Sequence, residues 1–193
     1  MWITRYDANA PACAALNVFA QTTRNGHSSA ERAVTPSSGD QYREAADLIS
    51  SYGHAMDDGE IDLWPQFFTP NGIYHITTKE NHEAGLPIGI MRCVGRGMMI
   101  DRVKAFHTAN IFEPHTYNHI VGYPTLSCDQ TTGWVTARSN FQIVRIMETG
   151  RMDLFATGKY LDVIQEEGGS LKFRERIVVL DSRNVDILLV VPL

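Results

Sequence analysis

The chain contains 193 residues, of which 44% are hydrophobic and 20% are charged. This composition is typical of a globular protein with one hydrophobic core, and it excludes collagen-like, coiled-coil and wholly disordered chains. The 17 Lys and Arg residues are outnumbered by 22 Asp and Glu residues, which gives a formal net charge of −5. An acidic chain of this kind is unsuited to binding nucleic acid or an anionic membrane surface.

Residues 1–40 are predicted to form a flexible leader, because 25–40 are rich in Ser, Gly, Thr and Pro and show no apolar periodicity. A start codon assigned too far upstream explains the same residues, and the sequence leaves both interpretations open. The folded domain is predicted over 41–193. Its longest apolar run, 187–193, is far shorter than the ~18 residues needed to cross a bilayer.

The cysteines Cys13, Cys93 and Cys128 are too few and too scattered for a disulfide framework. We therefore expect free thiols and a location in a reducing bacterial cytoplasm. Pro11 and Asn17 interrupt the place where a signal peptide needs an unbroken apolar core.

The first half of the domain is predicted to be mostly helical. Apolar residues recur at spacings of three and four from Tyr42 to Met56, which indicates an amphipathic helix. Asp57-Asp58-Gly59 ends this helix and is interpreted as a solvated acidic turn. The next predicted elements are a short helix over 61–68, a turn at Pro70-Asn71-Gly72, a strand over 73–78, a polar loop around Asn81-His82-Glu83, a strand over 88–94 and a helix over 97–112.

The second half is predicted to be an antiparallel meander. Four segments rich in β-branched and aromatic residues, over 117–127, 133–148, 151–165 and 170–181, are joined by turn residues. By alternation, one face of the sheet should be apolar, and the helices should cover it. The predicted fold class is α+β, with helices packed into the concave side of a curved antiparallel sheet. The residues assigned to that face are Val135, Ala137, Phe141, Ile143, Met147, Leu171, Phe173, Ile177 and Val179.

Two charged residues, Arg145 and Glu175, fall by alternation on these apolar faces. Inward charges should either pair with a partner or line a wet cavity, and we favour a buried or interfacial ion pair. The apolar run 187–193 also needs cover, either from its own sheet or from another subunit.

Several ligand-binding motifs fail on spacing. Gly95-Arg96-Gly97 begins like a dinucleotide motif, but Ile100 stands where the third glycine belongs. His115 and His119 would suit a metal on a helix, yet Pro114 and the residues that follow favour an extended segment, in which four residues span roughly 13 Å. We therefore predict no metal site, and we interpret His119 as a strand histidine in or near an interface.

Five strings resemble, in order and spacing, the beta (small) subunits of Rieske-type aromatic-ring-hydroxylating dioxygenases, and most closely those of terephthalate dioxygenases. Together they cover about 42–193. The strings are Leu63-Trp64-Pro65-Gln66-Phe67-Phe68-Thr69, Asn81-His82-Glu83-Ala84-Gly85-Leu86, Tyr117-Asn118-His119-Ile120-Val121-Gly122-Tyr123-Pro124, Arg145-Ile146-Met147-Glu148-Thr149-Gly150, and Arg174-Glu175-Arg176-Ile177 running to Pro192-Leu193.

The resemblance implies a cone-shaped fold similar to nuclear transport factor 2 and SnoaL-like proteins, and a subunit that holds larger alpha subunits in a hexamer of three of each. It implies that the Rieske [2Fe-2S] cluster and the mononuclear Fe(II) lie in the alpha subunit, that a reductase delivers electrons from NADH, and that this chain holds no cofactor, metal or catalytic residue. The assembled enzyme would add both atoms of dioxygen to an aromatic ring and give a cis-dihydrodiol. The expected substrate is an aromatic carboxylate such as terephthalate.

Some residues of the matched strings are candidates for packing or subunit contact. These are Trp64, Tyr117, His119, Arg145 and Glu175.

Two alternatives stay open at this point. One is a free-standing lyase or isomerase that uses acid and base groups in the cavity of the cone, and the other is a small-molecule binding protein that uses the same cavity. The available acid and base candidates are His75, Asp101, His119 and Arg145. A cavity filled by large apolar side chains would exclude both alternatives.

Overall fold

Three α-helices, one 3₁₀ helix and seven strands make up the part of the chain that the computed structural model describes, which is residues 38–108, 113–182, 189 and 191–193. The helices are α1 (Ser38–Asp57), the 3₁₀ helix (Ile61–Phe67), α2 (Lys79–Glu83) and α3 (Arg96–Thr108). The strands are β1 (Phe68–Thr78), β2 (Met91–Val94), β3 (His115–Val121), β4 (Thr125–Cys128), β5 (Val135–Met147), β6 (Met152–Glu167) and β7 (Ser170–Leu180). None of the described helices is long and apolar enough to cross a membrane.

All seven strands form one sheet in the order β2-β1-β7-β6-β5-β3, and β4 pairs with β5 beyond the end of β3. The predicted meander is confirmed, because β5, β6 and β7 pair antiparallel in sequence order. One pair differs from the prediction, since β1 lies parallel to β7 and the sheet is therefore mixed. The predicted α+β class holds.

The structure corrects several element boundaries. Helix α1 begins at Ser38, so 38–40 are helical and not part of the predicted leader, while 1–37 lie outside the described residues. The predicted loop around Asn81-His82-Glu83 is the helix α2. The predicted strand over 117–127 divides at Gly122-Tyr123-Pro124, where proline has no N–H for the sheet.

Two further boundaries differ near β1 and β2. The predicted turn Pro70-Asn71-Gly72 lies inside β1, at the place where the pairing with β7 shifts register between Phe68 and Ile73. The regular part of β2 begins at Met91, three residues later than predicted. The end of the predicted helix over 97–112 lies outside the described residues after Thr108.

The helices cover one face of the sheet and enclose an aromatic core. Trp64 packs edge-to-face against Phe68 and Tyr74, with ring centroids 6.3 and 5.2 Å away. Tyr52 on α1 packs in the same manner against Phe173 on β7 at 5.8 Å. These contacts join α1, the 3₁₀ helix, β1 and β7 into one core.

The described part of the apolar run 187–193 is covered by its own domain. Leu189, Pro192 and Leu193 are buried. The hydroxyls of Tyr52 and Tyr74 both donate to the carbonyl oxygen of Leu193 at 3.0 Å, and the N–H of Leu193 donates to the Tyr74 oxygen at 2.8 Å. The sequence allowed burial of this run either against its own sheet or against another subunit. For these residues the structure shows burial within their own domain.

A β-bulge in β7 changes which residues face the core. Val163 pairs with Glu175 and Ile164 pairs with Phe173, so Arg174 is an extra residue on β7. Leu171 and Phe173 face the core as predicted. Beyond the bulge the alternation is inverted, and a different set of residues points inward: Arg176, Val178 and Leu180.

Gly158 on β6 is a site where the sheet tolerates no side chain. A Cβ atom there would meet the carbonyl oxygen of Val179 and would lie 3.0 Å from the ring of Phe141. We expect Gly158→Ala to lower the free energy of unfolding by roughly 3 kcal/mol, because backbone and a packed ring would both have to move.

Urea denaturation followed by circular dichroism measures this loss. The matched control is Gly97→Ala on α3, where a Cβ meets nothing within 4 Å. That change should be neutral or stabilise the protein by up to about 1 kcal/mol, because alanine is the better helix former. Equal effects of the two changes would contradict the packing described for Gly158.

Candidate functional site

The core between the helices and the sheet contains a buried ion pair. Arg176 on β7 donates from Nε to Asp162 Oδ1 at 2.8 Å and from the second guanidinium nitrogen to Oδ2 at 2.9 Å. Both side chains are 0% exposed. The guanidinium carbon lies 4.2, 4.4 and 4.0 Å from the ring centres of Tyr52, Tyr160 and Phe173. The charge therefore sits in an aromatic cage that the chain itself fills.

The protonation of this cluster follows from burial. Burial opposes the charge of Arg176, but Asp162 attracts it and holds the pKa of the guanidinium above its ordinary value. Burial raises the pKa of Tyr52 to about 12 against the opposing charge of Arg176, and it raises the pKa of Tyr160 well above the ordinary value. At neutral pH both tyrosines keep their protons, so neither is suited to act as a base.

The buried charge on β7 is Arg176 and not Glu175, so the inward orientation predicted for Glu175 is wrong. The bulge at Arg174 turns Glu175 to the opposite face of the sheet, where it is half-buried. Ile177 is turned outward in the same way. The sequence shows the three charged residues 174–176 in a row, but alternation alone selects the wrong one of them.

Arg145 lies near the end of β5 and is partly buried. Its guanidinium is 5.0 Å from the ring centre of Phe155 and 4.0 Å from an oxygen of Asp153. The same carboxylate, on the neighbouring strand β6, accepts from Arg151 at 2.7 Å. Arg145 therefore does not form a buried ion pair, and its interfacial pairing stays a prediction. Arg145 lies at the rim of the core and not inside a closed cavity.

His119 on β3 is held by the last residue of α1. Its backbone N–H donates to both carboxylate oxygens of Asp57, at 3.0 and 2.8 Å, and its Nδ1 lies 2.5 Å from Oδ1. The His119 side chain is 1% exposed and that of Asp57 is 16% exposed. The prediction of a solvated turn at 57–59 is correct for Asp58, which is exposed, and wrong for Asp57. The hydrogen bonds of Asp57 join the end of α1 to β3.

The two remaining candidates are packing residues. Trp64 is fully buried in the aromatic core described above. Tyr117 is buried on β3, with ring centroids of His115 and Phe155 each 5.0 Å away.

The acid and base candidates do not share a site. Asp101 is exposed on α3 and pairs with Lys104 at 3.4 Å. His75 lies half-buried on β1, where burial, with Arg92 and His82 nearby, lowers its pKa. A groove of about 490 Å³ between α1 and β3 is lined by His119 but by none of the other three. The described residues also contain no group of three or more His, Cys, Asp or Glu side chains placed to hold a metal ion.

Sequence reasoning missed Asp162, Arg176 and Asp57. An aspartate at the C-terminal end of a helix opposes the helix dipole, and this was an available sign that Asp57 has a specific partner. No comparable sign marks Asp162 or Arg176, because their burial depends on strand register.

The sequence was compared with known protein families and with known proteins. Residues 38–177 match the SnoaL-like domain family. The chain is 38% identical to the beta 1 and beta 2 subunits of the terminal oxygenase component of terephthalate 1,2-dioxygenase from Comamonas sp., over 78% of this chain and 97% of each relative. It is 33% identical to the anthranilate 1,2-dioxygenase small subunit of Burkholderia cepacia, over 73% of this chain and 86% of that protein.

A solved structure supports the same assignment. It is described as the beta subunit of an aromatic-ring-hydroxylating dioxygenase from Novosphingobium aromaticivorans, and it matches with a TM-score of 0.71 and 27% identity over 80% of this chain and 99% of that one. Fold and sequence thus define a SnoaL-like domain. Within that class, the chain belongs to the beta, or small, subunits of aromatic-ring-hydroxylating dioxygenases, as the five strings indicated.

The first prediction for this site concerns the buried ion pair. Arg176→Met leaves Asp162 buried without its partner, and we expect the free energy of unfolding at pH 8 to fall by about 3–5 kcal/mol. Burial already raises the pKa of Asp162 against the attraction of Arg176, and the variant removes that attraction. A carboxyl whose pKa is higher in the folded than in the unfolded state loses stability as the pH rises between the two values. The loss should therefore be smaller at pH 5 than at pH 8.

Urea denaturation at both pH values measures the difference. The control is the double variant Arg176→Met with Asp162→Leu, which removes both charges and should recover part of the stability without the pH dependence. If the single variant lost the same free energy of unfolding at pH 5 and at pH 8, titration of an unpaired, buried Asp162 would be contradicted.

The hydrogen bonds between Asp57 on α1 and His119 on β3 should contribute to stability. Asp57→Ala removes the acceptor of the His119 backbone N–H and the partner of its ring, so the free energy of unfolding should fall by about 1–3 kcal/mol. Asp58→Ala, one residue along the chain and exposed, should change it by less than about 0.5 kcal/mol. Thermal denaturation of the two variants side by side tests this, and equal melting temperatures would refute this contribution.

Proposed function

We propose that this chain is the structural subunit of its dioxygenase, and that it holds the larger alpha subunits in a hexamer of three alpha and three beta chains. The observation that carries this proposal is the filled interior. Where a free-standing SnoaL-like enzyme or binding protein needs a cavity, this domain has packed rings and a closed ion pair. The dispersed acid and base candidates point the same way, so we do not favour the two alternatives.

The redox chemistry of the complex is assigned to the partner chain. The Rieske [2Fe-2S] cluster and the mononuclear Fe(II) lie in the alpha subunit, and a reductase supplies electrons from NADH. The complex adds both atoms of dioxygen to an aromatic ring and gives a cis-dihydrodiol. An aromatic carboxylate such as terephthalate is the proposed substrate, because the relatives named above act on terephthalate and anthranilate, which both carry a carboxylate on the ring.

The five candidate residues divide into two roles. Trp64, Tyr117 and His119 stabilise the domain, which their burial supports. Arg145 and Glu175 are only partly buried, and they are the two available for contact with a neighbouring subunit.

We place the complex in the bacterial cytoplasm. The proposed electron donor NADH is a cytoplasmic metabolite, and the described cysteines Cys93 and Cys128 are free thiols.

Co-expression with the alpha subunit of the same organism tests the proposal. We expect a brown, iron-containing complex with equal amounts of the two chains and a mass, by light scattering, of three copies of each. This chain purified alone should be colourless and inactive on aromatic carboxylates. Iron bound by the isolated chain, or turnover of an aromatic compound by it, would contradict the proposal.

A further inference from the structure

The imidazole of His75 on β1 has one nitrogen buried beneath a neighbouring segment of the chain. Its Nε2 atom is buried, and no described residue hydrogen-bonds to it. The segment is 86–90, which we call the covering segment. A Cβ atom on Gly89 would collide with Nε2 and with the carbonyl oxygen of Ile76. The backbone at Gly89 therefore lies directly against this nitrogen.

The neutral and the charged imidazole differ at this nitrogen. A neutral ring can leave Nε2 without a proton, whereas the charged ring carries an N–H on both nitrogens. A buried charged donor without an acceptor is unfavourable. The closed arrangement therefore suits the neutral ring and opposes the charged one.

Positive neighbours strengthen this preference. Arg92 lies directly across from His75 on β2, and His82 lies nearby on α2. Burial, then Arg92, then His82 lower the pKa of the His75 ring. On β7 the residue opposite is the uncharged Ile177.

Acidic residues occur on two elements that pack against β1. On β7, Glu175 lies across from Ile73. On α2, Glu83 pairs with Lys79 at 3.9 Å, and Glu80 lies in the same short helix. None of these carboxylates hydrogen-bonds to the buried nitrogen. A proton on that nitrogen therefore has no acceptor among them.

The covering segment is held to β1 by hydrogen bonds and not by buried side chains. The N–H of Ile90 donates to the carbonyl oxygen of Ile76 at 2.8 Å, and the hydroxyl of Thr77 donates to the carbonyl oxygen of Ile88 at the same distance. Every residue of the covering segment is exposed. Segments with few buried contacts open locally at free energies well below that of global unfolding.

We propose that the covering segment is a pH-sensitive lid on His75, closed over the neutral imidazole and open when the imidazole is protonated. In the open form the ring reaches water, which accepts the hydrogen bond that the closed form cannot accept. Opening also exposes the carbonyl oxygen of Ile76 and the hydroxyl of Thr77 at the end of β1. The device belongs to this chain alone, so it does not depend on binding of an alpha subunit.

The direction of the pH effect follows from the two forms of the ring. In the open form the ring has the ordinary histidine pKa of about 6.5, and in the closed form its pKa is lower. Between these values the open form binds more protons, so the closed form loses stability as the pH falls below about 6.5. From pH 7.5 to pH 5.5, the ratio of open to closed molecules can rise by up to about tenfold.

Amide hydrogen exchange of the full-length chain, followed by NMR, measures the opening. The reporter is the N–H of Ile90, expressed as a protection factor so that the intrinsic effect of pH on exchange is removed. We expect this protection factor to fall by about threefold to tenfold from pH 7.5 to pH 5.5. Amides in the centre of β6 and β7 should stay at least about tenfold better protected than Ile90 at both pH values.

Two variants and a matched control assign the effect to His75. His75→Gln cannot take a charge, so its protection factor at Ile90 should change by less than about twofold between the two pH values. Arg92→Gln removes the positive neighbour across the strand pair and should reduce the fall. The control is His54→Gln, an exposed histidine on α1, which should keep the fall of the wild type.

Three results would overturn the inference. One is an Ile90 protection factor that is the same at both pH values in the wild type. Another is a fall of wild-type size in His75→Gln. The third is exchange of Ile90 at the same rate as the central amides of β6 and β7, which would show global unfolding in place of local opening.

Discussion

The fold depends on the buried pair of Arg176 and Asp162. Two opposite charges without solvent contact are stable only when every neighbour is in place, since loss of either partner leaves a buried charge. The neighbours come from different elements: Tyr52 from α1, Tyr160 from β6 and Phe173 from β7. One interaction therefore requires the first helix and two central strands to pack together.

This constraint supports the proposed role of this SnoaL-like domain as a scaffold. Packed side chains fill the core around the ion pair, so the described part of the chain offers a partner its surface and its surface grooves. The charged residues are also divided between the core and the surface. Arg176 is buried and paired, whereas Arg145, Glu175 and Arg92 lie at the rim or on the outside. Under the proposed function, such a subunit contributes rigidity and contact area, and the alpha subunit carries the oxygen chemistry.

Much of the fold could be predicted because it follows local periodicity. The helix from Tyr42 to Met56 and the buried face of β5 are correct, since each depends on spacing within one element. The failures involve contacts between distant elements. The parallel pairing of β1 and β7 and the register at Arg174 depend on which strands meet, and the burial of Asp57 depends on His119, which is 62 residues away in the chain. Spacing alone carries no information about such partners.

The bulge at Arg174 also restricts how this strand can evolve. If the strand kept all its residues but lost the bulge, simple alternation from Phe173 would carry Glu175 into the aromatic cage and turn Arg176 out to solvent. Deleting Arg174 would instead restore simple alternation with Glu175 outward and Arg176 still inward. Sequences that share this core can therefore be one residue shorter between Phe173 and Arg176, and those of the same length need the bulge.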